Sequence, residues 1–290
     1  MSWRTVVISS RCKLDLKMGY MVARGEETKR IYLDEIAILM IENTAVSMTG
    51  CLLSALVEKK IRVIFCDEKR NPSAELTPYY GSHDCSRKLR SQIAWNDGVK
   101  GLVWTEIVAE KIRKQSDFLF ELGKDEEAAL LRDYITQLEY RDESNREGHA
   151  AKVYFNALFG MDFTRGEDSA INAALNYGYS LILSAFNREV AANGYLTQLG
   201  LFHNNMFNQF NLSCDLMEPF RVLVDRWVRE NEYGVFEKEQ KHHLLGLLNL
   251  YVRIDNNRQT VLNAVKIYVK SVFEALNDGD LSRIKFYQII

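Results

Sequence analysis

Short apolar runs dominate the first eighty positions of the chain. The segment CKLDLK at 12–17 alternates apolar and charged residues with the period of two that is typical of a half-buried strand. Four more runs are rich in β-branched or large apolar residues, namely RTVVISS at 4–10, YMVAR at 20–24, RIYL at 30–33 and IAILMI at 36–41. The pattern predicts a small, mainly antiparallel β domain.

The period of the pattern changes once within this region. In TGCLLSALVEKK, Leu52, Leu53, Leu56 and Val57 share one helical face. The run RVIFCD at 62–67 then returns to the pattern of a buried strand. The β domain is therefore expected to carry one helix.

Proline marks the end of the β domain. Pro72 and Pro78 lie close together, and no other proline occurs until Pro219. The proline-free segment between Pro78 and Pro219 is rich in Ala, Leu, Glu, Arg and Lys, which favour helices. We predict an α+β protein with a β-rich domain at 1–72, a linker at 73–83 and a larger, all-α domain at 84–290. Candidate helices lie at about 84–120, 125–140, 145–159, 167–193, 215–231, 237–251 and 258–277.

Composition limits the class of protein. The chain has 290 residues, of which 47% are hydrophobic and 26% charged, and its formal net charge is -2. These values are typical of a soluble globular protein, and any nucleic-acid site must be a local patch or be built by oligomerisation. The widely spaced cysteines predict reduced, mostly buried thiols in a cytoplasmic protein. Residues 169–187 lack charge, but their asparagines and serines favour a buried core helix over a membrane span.

The first candidate for chemistry is an acid in SNREGHAAKVYFNALFG at 144–160. Ser144 and Glu147 fit a capping box, which is a common structural role for a glutamate. Glu147 also shares a helical stripe with Tyr154 and Leu158. A carboxylate on a core-facing stripe needs a metal or an arginine as its partner, because an unpaired buried charge is costly.

A second acidic segment follows a histidine. Asp215, Glu218 and Pro219 are typical of the head of a helix, where acids interact favourably with the macrodipole. Residues three apart are neighbours on a helix, so both carboxylates are also able to face one point. Upstream, His203 lies between apolar residues and asparagines, where a hydrogen-bonded, half-buried histidine is more common than a metal ligand.

Together these segments resemble the CRISPR-associated spacer-acquisition integrases, the Cas-one family. The run GLFHNNMFNQFNLSCDLMEPFRVLVD at 200–225 is similar to the family's histidine, spacer and D-L-M-E-P-F-R-x-x-V-D pattern. The segment EGHAAKVYFNALFG at 147–160 resembles the part that carries an essential glutamate, and DSAINAALNYGYSLIL at 168–183 resembles the helix between the two. The resemblance covers essentially the whole chain. The sequences of these motifs are most similar to those of the type II branch.

The resemblance implies a CRISPR adaptation integrase. Such an enzyme joins the 3′-OH ends of captured foreign DNA, the spacer precursor, into the CRISPR repeat by metal-dependent transesterification, and has DNA endonuclease activity. The implied catalytic residues and metal ligands are Glu147, His203 and Glu218, with Asp215 as a secondary acid. The implied cofactor is Mg²⁺ or Mn²⁺, and an imidazole ligand suits Mn²⁺ at least as well as Mg²⁺. His203 is either a metal ligand or a general base.

The resemblance also implies binding partners. DNA fragments of variable sequence must be held by their phosphates. Candidate cations for this role are Arg146, Lys152 and Arg221 beside the acids, Arg87, Lys88 and Arg90 in SRKLR, and Lys111, Arg113 and Lys114 in KIRK. The implied assembly is a homodimer, with dimerisation through the N-terminal domain, that joins a small Cas-two partner in a larger integrase complex. In type II systems an accessory protein and the effector nuclease also take part, and no membrane is involved.

Two other functions remain open at this stage. One is a non-catalytic helical DNA-binding or scaffold protein, in which the acids are only helix caps. The other is a different metalloenzyme, such as a non-haem iron oxygenase, which usually needs two histidine ligands. His149 is a weak second ligand, because it lies two residues after Glu147 on a different side of the helix.

Overall fold

The chain divides into two compact units in a computed structural model that describes residues 4–76, 82–231 and 234–290. One unit comprises Met1–Cys85 and Ala191–Gly194, and the other comprises Ser86–Val190 and Tyr195–Ile290. Residues 73–76, the first part of the predicted linker, belong to a strand. Residues 77–81, which include Pro78 of that linker, lie outside the described residues.

The first unit contains every strand that the sequence pattern predicts there, and the predicted helix. Its elements are β1 (Arg4–Ile8), β2 (Lys13–Lys17), β3 (Tyr20–Arg24), β4 (Thr28–Tyr32), β5 (Ile36–Ile41), β6 (Ser47–Met48), α1 (Gly50–Glu58), β7 (Arg62–Cys66) and β8 (Pro72–Leu76). They form two four-stranded sheets, with strand orders β1-β5-β7-β8 and β4-β3-β2-β6. Leu14, Met21, Leu39, Leu52 and Val63 share one buried core.

These sheets are mixed rather than mainly antiparallel, which corrects the sequence prediction. Strand β5 pairs in parallel with both β1 and β7, and β2 pairs in parallel with β6. All six residues of β5, Ile36–Ile41, are buried. A continuous apolar run of this kind is typical of a strand with parallel neighbours, whereas the alternating run at 12–17 lies in an antiparallel pair with β3.

The second unit is mainly helical. Apart from Cys85 and Ala191–Ala192, which belong to the first unit, its helices are α2 (Cys85–Ile93), α3 (Asp97–Glu121), α4 (Asp125–Thr136), α5 (Arg146–Phe159), α6 (Ala170–Ala192), α7 (Asn211–Met217), α8 (Arg221–Asn231), α9 (Lys238–Leu244) and α10 (Val261–Asp278). The predicted helix at 84–120 is divided, because Asn96 caps the start of α3 by accepting from the Val99 N–H. The predicted helix at 215–231 is also divided, by the 3-10 turn Glu218–Phe220.

A small sheet in this unit corrects the prediction of an all-α domain. It consists of β9 (Tyr251–Ile254), β10 (Asn257–Thr260) and β11 (Gln288–Ile289) in the order β10-β9-β11. Asp255 and Asn256 both have positive φ, as a two-residue hairpin turn requires. The helices predicted at about 237–251 and 258–277 overlap the ends of β9 and β10, and no strand was predicted at β11.

Two further predictions concern burial. Helix α6 contains all of the uncharged stretch at 169–187 except its first residue, and most of the helix from Asn172 to Val190 is buried, as predicted. Within the described ranges, no helix is both long and apolar enough to cross a bilayer. All five cysteines are free thiols, but only Cys66 is buried, so the prediction of mostly buried thiols is wrong.

Candidate active site

Glu147 lies in the first turn of α5 and does not cap it. The carboxylate of Asp142 accepts hydrogen bonds from the N–H groups of Arg146 (2.7 Å) and Glu147 (3.0 Å). No side-chain cap hydrogen bond forms at Asn145, and Ser144 Oγ is buried without a partner. The capping box is therefore replaced by Asp142, and the Glu147 side chain is left for another contact.

That contact is a lysine, rather than the arginine or metal expected from the sequence. The Lys111 ammonium in α3 lies 2.5 Å from Glu147 Oε1 and 2.5 Å from Glu218 Oε2. Glu218 Oε1 accepts a second bond, of 2.8 Å, from Arg221 Nε. Two acids that are distant in the sequence thus meet at one cation in the interior of the helical unit.

Electrostatics favour the charged forms of Glu218 and Lys111. Burial raises the pKa of Glu218, but Arg221 and Lys111 outweigh it and lower that pKa to about 2. Burial lowers the pKa of Lys111, and Glu218 and Glu147 more than compensate, so this pKa is raised. The cluster is therefore two carboxylates neutralised by one ammonium and one guanidinium.

His203 is held by Asp215, which the resemblance implied only as a secondary acid. Its Nδ1 lies 2.5 Å from Asp215 Oδ1, and this hydrogen bond raises the pKa of His203 against the opposing effect of burial. The charges of Glu218 and Glu147 raise this pKa further, so His203 lies within their electrostatic reach. Because Nδ1 is engaged, Nε2 is the ring nitrogen that remains for chemistry.

The loop segment that carries His203 is held by hydrogen bonds to Asp215 and by a ring contact. Asp215, which is fully buried in the middle of α7, also accepts from the N–H groups of Leu201 (2.6 Å), Phe202 (3.1 Å) and His203 (3.2 Å). Phe202 stacks on Trp104 of α3, with ring centroids 4.7 Å apart. Asp215 is therefore not part of a helix head, and its carboxylate positions the histidine loop.

Gly200 allows this close arrangement. A Cβ at this position would meet the backbone oxygen of His203 and lie 2.8 Å from Asp215 Oδ2. Neither contact can relax by rotation of a flexible side chain end, since one is backbone and the other already binds the loop. Gly200 and Asp142 were not predicted as site residues, because the spacing of residues alone carries no signal for them.

The described residues contain no group of three His, Cys, Asp or Glu side chains close enough to hold a metal ion. The Lys111 ammonium lies between the two glutamates, and the His203 ring contacts Asp215. The two glutamate oxygens that face one nitrogen nevertheless fit a divalent cation, whose oxygen ligands lie at about 2.0–2.6 Å. The three-ligand metal site remains a prediction from the resemblance.

A cavity of about 220 Å³ borders this cluster. Lys111, Glu147 and Glu218 line it, together with Asp225. Burial raises the pKa of Asp225 to about 6, although the Tyr179 hydroxyl donates a hydrogen bond to its carboxylate. Asp225 is the last residue of the motif at 200–225, and the sequence analysis gave it no role.

The predicted DNA-binding cations lie in different environments. Arg221 pairs with Glu218 and lies over the ring of Tyr179, with 4.7 Å from the guanidinium carbon to the ring centroid. Lys111 and Lys114 are buried rather than on a solvated face. The other candidates have more accessible positions: Lys152, Arg87, Arg90 and Arg113 are exposed, while Arg146 and Lys88 are half-buried beside tyrosine rings.

Comparison with known proteins agrees with this architecture. The family model described as "CRISPR associated protein Cas1" matches residues 5–240. The chain is 34% identical to a CRISPR-associated endonuclease Cas1 of Neisseria meningitidis, over 100% of this chain and 97% of that protein. It is 25% identical to a protein of the same name from Francisella tularensis subsp. novicida, over 74% of each chain.

Solved structures share the fold. A Cas1 protein from Thermotoga maritima superimposes with a TM-score of 0.76 at 16% identity, covering 94% of this chain and 97% of that one. A casposase bound to an integration product also has a TM-score of 0.76 at 16% identity, covering 96% and 91%. From the family match and the full-length relative, the chain belongs to the Cas1 family of CRISPR-associated proteins.

Proposed function

We propose that this chain is a CRISPR adaptation integrase, which joins the 3′-OH ends of a captured DNA fragment to a CRISPR repeat and also cleaves DNA. The observation that carries the proposal is the meeting of Glu147 and Glu218 at one cation, beside a histidine oriented by Asp215. The Neisseria relative is named an endonuclease, and the casposase structure contains an integration product. Both support a reaction at DNA phosphodiesters.

Each residue of the site has its own role in an in-line displacement at phosphorus. The 3′-oxygen of the fragment attacks a phosphorus of the repeat, and the bond to the leaving 3′-oxygen breaks. Glu147, Glu218 and His203 would hold Mg²⁺ or Mn²⁺, which supplies stabilisation of charge on the attacking and leaving oxygens. Arg221 holds Glu218, and Asp215 presents His203 Nε2, the nitrogen available to bind the cation or accept the proton of the attacking hydroxyl.

The scaffold alternative conflicts with the contacts of the acids. Neither Glu147 nor Glu218 makes a capping hydrogen bond, and the pairing of both with Lys111 would be unnecessary for ends of helices exposed to water. The iron-oxygenase alternative lacks support from His149, which is exposed and lies beside the Tyr134 ring.

The assembly is part of the proposal. Two matched structures are titled as Cas6-RT-Cas1–Cas2 complexes, and the chain covers 36% of the matched chain in the first. By analogy, we propose a homodimer formed through residues 1–72 that binds a small Cas2 partner and, in a type II system, an accessory protein and the effector nuclease.

A strand-transfer assay tests the function. A labelled DNA fragment and a repeat-containing plasmid are incubated with the chain and its small partner, with Mn²⁺, Mg²⁺ or EDTA. We expect joining that requires a divalent cation and a free 3′-OH, and that is lost in Glu147→Gln and His203→Ala. Full joining by either variant, or joining of a dideoxy-terminated fragment, would refute the proposal.

A further inference from the structure

Helix α3 carries two buried lysines with different partners. Lys111 has 9% of its side chain exposed and binds Glu147 and Glu218, while Lys114 has 7% exposed and binds Glu110 at 2.8 Å. Lysine is rarely buried without a partner, because removal of an ammonium from water is costly. Each lysine therefore has a specific ionic role in the interior.

Charge balance defines the role of Lys111. The charges of Lys111 and Arg221 cancel those of Glu147 and Glu218, so the cluster is neutral as it stands. A divalent cation added to this neutral cluster would leave two excess positive charges in a buried place, which is unfavourable. A divalent cation that takes the place of the ammonium would add only one positive charge in contact with the two glutamates.

The distances between the charged atoms also indicate that a divalent cation would replace the Lys111 ammonium. Glu147 Oε1 and Glu218 Oε2 each lie 2.5 Å from one nitrogen, so they are no more than about 5 Å apart, close to the span of a cation with oxygen ligands at about 2.0–2.6 Å. The same two oxygens are the natural ligands of that cation. The ammonium and the cation therefore require the same position.

We propose that Lys111 is a resident cation, which holds the two glutamates together in the metal-free protein and must leave when a divalent cation binds. This inference rests on the proposed metal site at Glu147 and Glu218. Lys111 thereby keeps the site assembled and weakens metal binding through competition. The bordering cavity of about 220 Å³ has room for the displaced ammonium and offers it the carboxylate of Asp225.

Metal binding to the full-length chain tests the competition. Mn²⁺ affinity is measured by calorimetry for the wild type, Lys111→Met and Lys114→Met, and thermal unfolding is followed in EDTA and in Mn²⁺. Lys111→Met should bind Mn²⁺ at least about tenfold more tightly, because its metal-free site leaves the half-buried Glu147 carboxylate without a compensating charge. Lys111→Met should also be less stable than the wild type in EDTA, and Mn²⁺ should raise its thermal stability by more than that of the wild type. Lys114→Met should lose stability with unchanged Mn²⁺ affinity.

The outcomes separate this inference from the proposed function. Unchanged or weaker Mn²⁺ binding by Lys111→Met, with binding abolished by Glu147→Gln, would overturn the competition and leave the metal site intact. Absence of Mn²⁺ binding in both the wild type and Lys111→Met would overturn the metal site as well, and with it the competition.

A measurement on the wild type covers the case in which Lys111→Met does not fold. Amine acetylation is quantified by mass spectrometry with and without saturating Mn²⁺. Release from the glutamates should increase the labelling rate of Lys111 severalfold, while Lys114 stays protected. Unchanged or decreased labelling of Lys111 at saturating Mn²⁺ would overturn the proposal.

Discussion

Replacement of Asp225 by asparagine should stabilise the protein near neutral pH and not in acid. Asp225 is fully buried, and burial raises its pKa from the ordinary 3.8 to about 6. In the unfolded chain this carboxyl ionises near pH 4. Between pH 4 and 6 the folded state therefore binds the extra proton, so the stability of the wild type falls as the pH rises through this window and stays lower above it.

The magnitude follows from the shift in pKa. Each pKa unit corresponds to about 1.4 kcal/mol, so a shift of about two units costs about 3 kcal/mol above pH 6. For a unit of about 200 residues, this corresponds to about 6–12 °C in Tm. The neutral Asp225→Asn side chain can still accept the Tyr179 hydrogen bond and escapes this cost.

Thermal unfolding by circular dichroism checks the prediction. Tm is measured for wild type and Asp225→Asn from pH 4 to 8 at one protein concentration, because association would otherwise shift Tm. The difference in Tm should be near zero at pH 4, increase through pH 5 and level off above pH 6. A difference that does not change with pH would refute the argument from burial.

The hydrogen bond from Tyr179 offers a second variant with a matched control. Tyr179→Phe removes a donor that stabilises the Asp225 carboxylate, so the pH of the transition should move above 6. The control is Tyr195→Phe. It removes a hydroxyl that accepts a hydrogen bond of 2.9 Å from Asn277 Nδ2 and is not bonded to Asp225. The transition should stay in place in the control.

Three further predictions concern the candidate site. Asp215→Asn should reduce the rate of strand transfer by about 10–100-fold with little change in DNA affinity, because the His203 ring loses its charged partner. An equal loss of strand transfer and of DNA affinity would contradict a positioning role. Gly200→Ala should lower the free energy of unfolding by about 1–3 kcal/mol in urea, since its Cβ meets backbone, and an unchanged midpoint would contradict this. Arg221→Met should lower the free energy of unfolding by about 3 kcal/mol, because it leaves Glu218 with a single partner. Unchanged stability with weakened DNA binding would instead favour the predicted DNA contact.

The local pattern predicted the strands and helices better than their pairing. The alternation in CKLDLK and the apolar run in IAILMI both became strands, since these patterns determine which faces are buried. Parallel pairing of β5 with β1 and β7 depends on contacts between distant segments, and no local period encodes it. The small sheet was missed because β9 and β10 have only four residues each and β11 has two.

The candidate site was predictable as a set of acids, but not as a network. Glu147 and Glu218 each had an inexpensive role as a helix cap, and only the family resemblance connected them. A signal for Lys111 was nevertheless present: it lies on the same helical stripe as Trp104, Ile107 and Val108, where a charged residue requires a buried partner. A search for charges on apolar stripes would have found Lys111 and Glu147 together.

Separate partners for Asp215 and Glu218 explain how one short motif serves two purposes. Asp215 lies in α7 and binds the loop that carries His203, whereas Glu218 lies in the turn that follows and binds Lys111 and Arg221. The backbone stays right-handed helical from Met217 through Glu218, so these acids, three apart, are neighbours whose charges repel each other. Separate partners on either side of the turn remove that repulsion, since each carboxylate is satisfied by its own donors. The motif therefore sets the orientation of the histidine and the position of the acid independently within four residues.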